Sequence, residues 1–272
     1  MRQKLGQHFL IDQEIRARIL EIADIHASDA ALEIGPGKGV LTRILARQAG
    51  QLIAIEVDPD LAEALRQAFH EMPSVHVLHE DARQLNYREV IAGIVQPPRR
   101  VKIVANLPYY AATPIVLALF QFPDVLHACT LMFQKEVAER IAASPGSKAY
   151  GSLSILCQYY SDVRYCFSVP PTAFRPKPKV DSAVVHLRLR EQPPFDVHNA
   201  ELFFQMVKCA FLTRRKTLKN ALLRNMPGIC SAAHLDEAFA QLNFSESIRA
   251  EHLSGQDFAA LSNLIHRSSQ TS

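Results

Sequence analysis

Cysteine is scarce in this sequence, and the spacing of the few that are present excludes two kinds of stabilised domain. Five cysteines occur, and no two of them form a C-x-x-C pair. Structural zinc sites use such pairs, and the disulfide framework of a small secreted protein uses an even number of cysteines. We therefore expect no metal, and we interpret the cysteines as buried free thiols in a reducing compartment.

Long apolar runs are missing as well. No stretch approaches the roughly 18–20 consecutive apolar residues that a membrane helix requires. The basic residues near the start of the chain are not followed by the apolar segment of a secretory signal. No internal repeat or low-complexity segment is present among the 272 residues. We expect no membrane partner. We expect the protein to be a monomer, located in the cytoplasm or in an organelle.

An excess of charge of either sign is also absent. Thirty basic residues oppose 27 acidic residues, which gives a net charge of +3. This value permits a nucleic-acid partner without establishing one, because phosphate binding depends on local clusters of charge. The partner must therefore be inferred from motifs and not from composition.

Short β-branched runs alternate with helical periods up to about residue 190. The runs are residues 31–34, 52–56, 75–78, 101–105 and 129–133. Nearly continuous apolar strands separated by helices are typical of a parallel sheet that is covered on both faces. Residues 163–167 and 183–187 are two further strands joined by a proline-rich connection, so we expect an antiparallel pair at one edge.

A boundary is indicated at residues 191–194, which contain two consecutive prolines. Beyond it, Leu202, Phe203, Met206 and Val207 begin a helical period of three and four. The sequence therefore predicts two domains. Residues 1–190 form an α/β, Rossmann-like domain, and residues 191–272 form a small all-α domain.

A glycine-rich segment, E-I-G-P-G-K-G at residues 33–39, follows the first predicted strand. Ligands of doubly wound sheets bind at the carboxyl ends of the strands, and glycine lets the backbone approach them closely. The spacing G-x-G-x-G differs from the G-x-G-x-x-G of dinucleotide-binding folds, which disfavours a pyrophosphate there. Glu56, at the end of the second strand, can accept two ribose hydroxyls, and Asp81, after the third, can accept an adenine amine. The pattern predicts a nucleoside cofactor, either NAD or S-adenosylmethionine.

The tetrapeptide N-L-P-Y at residues 106–109 follows the fourth predicted strand, on the same face as the cofactor segment. The N6 amine of adenine is a poor nucleophile, because its lone pair is delocalised into the ring. The Asn106 side-chain oxygen and the Leu107 carbonyl can accept the N6 hydrogens and free that lone pair. Pro108 fixes the backbone, and Tyr109 offers a face on which a flipped base can stack. A plain β-turn is the alternative, but the position beside the cofactor segment favours catalysis.

With these motifs in place, the chain resembles the ribosomal RNA small-subunit adenine N6-dimethyltransferases of the KsgA type over nearly its full length. The matching segments are residues 6–10, 33–42, 56–58, 81–82, 106–109, 174–185 and 214–220. The resemblance implies a class I methyltransferase sheet and S-adenosylmethionine as cofactor. It also implies the substrate, which is two adjacent adenosines near the 3′ end of 16S RNA in an immature 30S particle. Each adenosine receives two methyl groups. The resemblance further implies a role in the biogenesis of the 30S subunit.

The resemblance also implies roles for single residues. Phe174 is expected to stack on the target base opposite Tyr109. Members of the family often carry asparagine where this chain has His8. A side-chain contact with the cofactor would change between these two residues. We therefore expect the contact at His8 to come from the backbone. The cofactor pocket is expected to be lined by His8, Leu10, Gly35, Gly37, Glu56, Asp81, Ala82 and Asn106.

Two groups of basic residues are candidates for RNA binding. The first alternates with prolines and consists of Arg175, Lys177 and Lys179. The second consists of Arg214, Arg215, Lys216 and Lys219, which are half of the eight basic residues from position 191 onward; eight acidic residues balance them. Phosphate contacts would explain this clustering, and a solvated helix face is the alternative.

Three other functions compete with this interpretation. An Erm-type methyltransferase of large-subunit RNA shares the fold and tolerates a similar tetrapeptide, but the basic stretches at 174–182 and 214–220 favour the small-subunit enzyme. A non-catalytic RNA-binding assembly factor is disfavoured because Gly35, Gly37, Glu56 and Asn106 are all intact. A nicotinamide dehydrogenase is disfavoured by the glycine spacing.

Overall fold

The structure is a computed structural model, and it describes residues 8–96, 100–229 and 231–270. Within these ranges the chain divides into two compact units. The first takes its residues from Met1–Ala138 and Asp162–Glu191, and the second from Glu139–Ser161 and Gln192–Ser272. The main division thus lies at residue 191. Residues 139–161, which the sequence did not set apart, pack with the C-terminal helices.

The first unit is built on strands separated by helices. Its strands are β1 (Phe9–Leu10), β2 (Ala30–Ile34), β3 (Gln51–Glu56), β4 (Val75–His79), β5 (Val101–Asn106), β6 (Leu126–Gln134), β7 (Ser161–Val169), β8 (Phe174–Arg175) and β9 (Ser182–Leu189). Its helices are α1 (Gln13–Ala23), α2 (Thr42–Gln48), α3 (Pro59–Ala68), α4 (Tyr87–Ile94) and α5 (Ala112–Leu119). Helix α6 (Lys135–Ile141) spans the division between the units.

Seven of these strands form one sheet in the order β4-β3-β2-β5-β6-β9-β7. The pairings from β4 through β6 are parallel, with Ala31 opposite both Leu52 and Lys102. Strand β9 runs antiparallel to β6, and β7 is the outermost strand beyond it. The predicted parallel sheet with an antiparallel edge is confirmed. Strands β1 and β8 form a separate antiparallel pair, with Phe9 opposite Arg175.

Burial explains why the central strands have no alternation of apolar and polar residues. All five residues of β2 are buried, and so are five of the six residues of β3. Helices cover a parallel sheet on both faces, so every side chain of a central strand meets a helix or another side chain. The carboxyl ends of β2, β3 and β5 consequently lie side by side, and the segments that follow them share one edge of the sheet.

Helix α3 begins where its sequence provides a cap. The Asp58 carboxylate accepts hydrogen bonds from the backbone N–H groups of Asp60 and Leu61, at 3.0 and 3.2 Å. Pro59 occupies the first helical turn, where its missing N–H costs nothing. The Asp58 N–H donates to the Glu56 carboxylate at 3.0 Å, so the cap also ties the start of α3 to the end of β3.

The second unit is helical. Its helices, besides the last part of α6, are α7 (Ser152–Tyr160), α8 (Ala200–Leu212), α9 (Leu218–Asn225), α10 (Ala232–Leu242) and α11 (Gly255–Gln270). Phe203, Met206 and Val207 are buried on α8, as their helical spacing predicts. They share one core with Tyr159 of α7 and Phe258 of α11. Helix α7 therefore belongs to this core, although it precedes β7 in the chain.

No disulfide joins the cysteines that the structure describes. Cys129, Cys157 and Cys209 are buried, and Cys166 is partly buried. Cys230 lies outside the described residues. Along the part of the chain that the structure describes, no helix combines the length and the apolar character needed to cross a bilayer.

Candidate active site

A pocket opens at the carboxyl ends of β2, β3 and β5, within the first unit. The structure brings together there every residue that the sequence predicted for the cofactor: His8, Leu10, Gly35, Gly37, Glu56, Asp81, Ala82 and Asn106. Leu107, Pro108 and Tyr109 line the same pocket. The segments that follow three different strands therefore converge, and the roles of their residues stay predictions.

The glycine-rich turn after β2 forms one wall. Gly35 and Gly37 have φ angles of +69° and +57°, a region that favours glycine. A Cβ atom at Gly37 would lie 2.9 Å from the Phe9 ring, so a larger residue would push β1 away. The Gly37 N–H donates to the Glu56 Oε2 at 2.9 Å. Glycine is thus required at residue 37 both for the backbone conformation and for the space beside Phe9.

Glu56 is a buried carboxylate in a fixed orientation. Its side chain is 2% exposed, and each oxygen accepts one backbone N–H: Oε2 from Gly37 and Oε1 from Asp58. A carboxylate oxygen has more than one acceptor position. Glu56 can therefore keep these two bonds and still accept a pair of neighbouring hydroxyl groups.

Glu33 is a site residue that the sequence interpretation did not single out. It lies in β2, lines the pocket and is 2% exposed. Among the described residues, its Oε2 has no hydrogen-bond partner. The pKa of Glu33 is raised from 4.5 to about 8, mainly by burial; the Thr42 hydroxyl opposes this rise and the nearby Glu56 charge adds to it. The sequence did contain a signal for Glu33, because it is an acidic residue inside an otherwise apolar strand. Burial of a charged side chain costs free energy, so an acid at such a position indicates a role in the site.

Asp81 is already bound to a side chain of the protein. Arg83 donates from Nε to the Asp81 Oδ1 at 2.9 Å, and from Nη2 to the other oxygen. The Arg83 guanidinium holds the pKa of Asp81 below its usual range. The Asp81 carboxylate can accept an adenine amine only at its remaining lone pairs, a restriction that the sequence did not indicate.

The Asn106 side chain has a defined orientation. Its Nδ2 donates to the backbone carbonyl of His8 at 3.1 Å. A carbonyl oxygen only accepts, so the amide nitrogen must face His8. Among the described residues, no donor binds the Asn106 Oδ1. The His8 ring uses Nδ1 on the carbonyl oxygen of Pro176, at 2.7 Å. The His8 backbone thus positions Asn106, while its ring contacts a different segment.

Tyr109 is held by both ends of its side chain. Its hydroxyl shares a 2.7 Å hydrogen bond with the Ser182 hydroxyl, and its ring lies 5.7 Å from the His8 ring, centroid to centroid. Partial burial raises the pKa of Tyr109, and the bond to Ser182 opposes this rise. The Tyr109 hydroxyl therefore keeps its proton, and its bond to Ser182 gives the ring a defined orientation. Leu107 lines the pocket and is only 1% exposed.

Phe174 is not among the residues that line the pocket, and its stacking on the target base stays a prediction. Its side chain is 1% exposed and packs in an apolar cluster with Leu10, Ile15 and Phe167. Strand β8 holds it there, because Phe174 is paired with Leu10 of β1. In this structure its side chain supports the wall of the site and presents no face to a base.

The residues predicted to bind RNA differ in their surroundings. Arg175, Lys177 and Lys179 are all exposed in the first unit. In the second unit, Arg215 and Lys216 are exposed in the turn between α8 and α9. The other two basic residues of this cluster are bound to groups of the protein. Arg214 donates to the Lys148 carbonyl at 3.0 Å and to the Glu251 carboxylate, and Lys219 forms an ion pair with Asp236.

Several further residues line the pocket and were missed as site residues, and four of them adjoin the motifs: Lys38, Val57, Arg83 and Tyr110. Each follows a predicted site residue by one or two positions in the sequence. Val57 and Tyr110 are 40% and 54% exposed, unusually high for large apolar side chains. Position next to a motif is a weak signal, and only the topology shows which neighbours turn toward the pocket.

Comparison with known proteins gives the following similarities. The sequence model of ribosomal RNA adenine dimethylases matches residues 1–265. A ribosomal RNA small subunit methyltransferase A from Geobacter metallireducens is 43% identical over 261 residues, covering 96% of this chain and 94% of the relative. The crystal structure of a dimethyladenosine transferase from Plasmodium falciparum is similar with a TM-score of 0.80 and 26% identity, covering 96% of this chain and 98% of that one. The 23S rRNA methyltransferase ErmE is similar with a TM-score of 0.68 and 26% identity, covering 95% and 99%.

Proposed function

This chain belongs to the ribosomal RNA adenine dimethylase family, and on that premise we propose that it methylates N6 of two adjacent adenosines near the 3′ end of small-subunit ribosomal RNA. The methyl donor is S-adenosylmethionine. The observation that carries the proposal is the oriented amide of Asn106, whose free Oδ1 lies in the same pocket as Glu56 and the glycine-rich turn. Relatives named for methylation of the small subunit supply the substrate class.

The residues of the pocket fit S-adenosylmethionine. The fixed Glu56 carboxylate suits the two ribose hydroxyls, and Asp81 suits the adenine amine. Glu33, buried and with an oxygen that has no hydrogen-bond partner among the described residues, suits a polar group of the cofactor. Leu10 and Ala82 add apolar surface. When bound, the cofactor supplies an electrophilic methyl group on its sulfonium.

Asn106 and Leu107 act on the adenine amine. The Asn106 Oδ1 and the Leu107 carbonyl accept the two N6 hydrogens, which turns the nitrogen lone pair out of conjugation with the ring. No strong base is required, because the amine becomes acidic once it is alkylated. Most of the rate then comes from orientation and from fixed dipoles.

Tyr109 holds the base for this reaction. With its hydroxyl anchored on Ser182, the ring keeps one orientation and offers its face to a flipped adenine. Stacking of this kind contributes about 1–3 kcal/mol per base. Since Phe174 is buried, Tyr109 is the stacking residue of the proposed site.

The exposed basic residues hold the RNA. Arg175, Lys177 and Lys179 lie on the unit that carries the pocket, and Arg215 and Lys216 lie on the helical unit. Phosphate contacts at both places explain why this charge is clustered in a chain that is nearly neutral overall. The proposed substrate is an immature 30S particle, methylated in the cytoplasm by a monomer.

Primer extension tests the proposal against the Erm-type alternative. N6,N6-dimethyladenosine blocks reverse transcription, so a strain that lacks this protein is compared with the same strain carrying it on a plasmid. We expect two adjacent stops near the 3′ end of small-subunit RNA in the complemented strain alone. A plasmid encoding Asn106→Ala is the control. Stops in large-subunit RNA, or stops that persist in the deletion strain, would contradict the proposal.

A further inference from the structure

Tyr110 is an aromatic residue that points outward at the rim of the pocket. It follows the N-L-P-Y segment and lines the same pocket, yet its side chain is 54% exposed. Its neighbours differ: Tyr109 is half-buried, and Ala111 is 3% exposed. An exposed aromatic ring on a surface is ordinary by itself. At the mouth of a nucleotide site, it offers a stacking face outside the pocket proper.

Arg83 places a positive charge at the same rim. It lines the same pocket as Tyr110, and its side chain is 42% exposed. Its bonds to Asp81 use Nε and Nη2 and hold the guanidinium plane in one orientation. Across the described ranges, no residue accepts a hydrogen bond from Nη1, so this end of the guanidinium can bind an anion.

We propose that Tyr110 and Arg83 form a second RNA-contact surface, on which Tyr110 stacks the nucleotide next to the target adenosine and Arg83 contacts its phosphate. This inference rests on the proposed function. A flipped adenosine in the pocket loses its stacking on both neighbours, so the adjacent nucleotide must find a new partner at the rim. An aromatic ring and a guanidinium in the lining of one pocket can bind a base and its phosphate without reading the sequence.

The exposure of Tyr110 favours RNA over the cofactor as its ligand. Of the residues that suit the cofactor, Glu33, Glu56, Leu10 and Ala82 are less than one-tenth exposed, and the Asp81 side chain is 26% exposed. More than half of the Tyr110 side chain is accessible instead. A ligand that extends beyond the pocket can cover this surface, and an RNA strand extends beyond it in both directions.

Kinetics on immature 30S particles test the inference. The variants are Tyr110→Ala, the conservative Tyr110→Phe, and the matched control Leu117→Ala, which removes a 45% exposed side chain of α5 outside the pocket lining. For Tyr110→Ala we expect the KM for particles to rise about 5- to 150-fold, which corresponds to the loss of one stacked base. The kcat and the affinity for S-adenosylhomocysteine by calorimetry should stay within about threefold. Tyr110→Phe and Leu117→Ala should match the wild type.

A binding readout separates stacking from other effects. A small-subunit RNA fragment carries 2-aminopurine at the nucleotide next to the target adenosine, and its fluorescence is quenched when the base stacks. The wild type and Tyr110→Phe should quench it, and Tyr110→Ala should not. Arg83→Gln should lower the slope of log K against log salt by about 0.7, the value for one phosphate of a single strand.

Three results would overturn the inference. An unchanged KM for Tyr110→Ala, with active wild type, would refute this surface and leave the proposed function intact. An equal loss of affinity for S-adenosylhomocysteine would assign Tyr110 to the cofactor. A wild type that methylates no adenosine of small-subunit RNA would refute the proposed function and the inference together.

Discussion

Replacement of Glu33 by glutamine should change how the stability of the protein depends on pH. Glutamine keeps the shape of the side chain and removes its ionisation. The pKa of Glu33 is raised from 4.5 to about 8, mainly because burial disfavours the charged form. Below pH 4.5 the carboxyl is neutral in both the folded and the unfolded chain, so it contributes no pH dependence there.

Between pH 4.5 and 8, the unfolded chain releases this proton and the folded chain keeps it. The folded state then binds more protons than the unfolded state, so the free energy of unfolding falls as pH rises. A shift from 4.5 to about 8 corresponds to about 5 kcal/mol over the whole window. Within the window the loss is about 1.4 kcal/mol for each pH unit.

Urea unfolding at pH 5.5 and pH 7.5 measures this effect. Between these two values, the wild type should lose about 2–3 kcal/mol more stability than Glu33→Gln. Glu21→Gln, which removes an exposed carboxylate from α1, is the matched control and should follow the wild type. If wild type and Glu33→Gln lose stability in parallel, Glu33 is ionised in the folded protein and its burial does not act as described.

Three other predictions follow from the geometry of the site. Asn106→Ala should reduce kcat about 100- to 1000-fold, as the loss of a fixed polar group in an active site does. The Kd of S-adenosylhomocysteine should change much less. An equal loss of turnover and of cofactor affinity would make Asn106 a cofactor ligand only. Tyr109→Phe should lower the free energy of unfolding by about 1–2 kcal/mol, because the buried Ser182 hydroxyl loses its partner. The kcat should stay within a few-fold of the wild-type value. A 100-fold fall in kcat would give the Tyr109 hydroxyl a chemical role. The double variant Arg215→Ala, Lys216→Ala should lower the salt slope of RNA binding by about 1.4–1.8, and an unchanged slope would reject phosphate contacts there.

The sequence was enough to predict that the proposed cofactor residues share one pocket, because the fold itself brings those residues together. The glycine-rich turn, Glu56 and Asn106 each follow a buried apolar strand, and neighbouring parallel strands end at one edge of a sheet. Recognition of the strands was therefore enough to place the residues near one another. No contact between their side chains had to be inferred.

Contacts between distant segments could not be predicted in this way. The bond from Asn106 to His8 spans 98 residues, and the bond from Tyr109 to Ser182 spans 73. Both depend on how β1 and β9 lie beside the pocket, which no local pattern indicates. Phe174 shows the same limit. Its motif matched the family, but its burial follows from the pairing of β8 with β1.

The boundaries of the two units show a further limit of local patterns. Helix α7 precedes β7 in the chain, so its position suggested that it belongs to the sheet domain. Tyr150, Ile155 and Tyr159 instead lie in the core that contains Phe203 of α8. An apolar helix can bury its residues against either unit, and only the packing decides which.

Methyl transfer from methyl-labelled S-adenosylmethionine to immature 30S particles, mapped to the nucleotide, tests the central claim most directly. The purified full chain is incubated with the particles, and the labelled nucleotides of the small-subunit RNA are identified after digestion. We predict label on N6 of two adjacent adenosines near the 3′ end, with two methyl groups on each. Label confined to large-subunit RNA, or no label on any adenosine, would contradict the account.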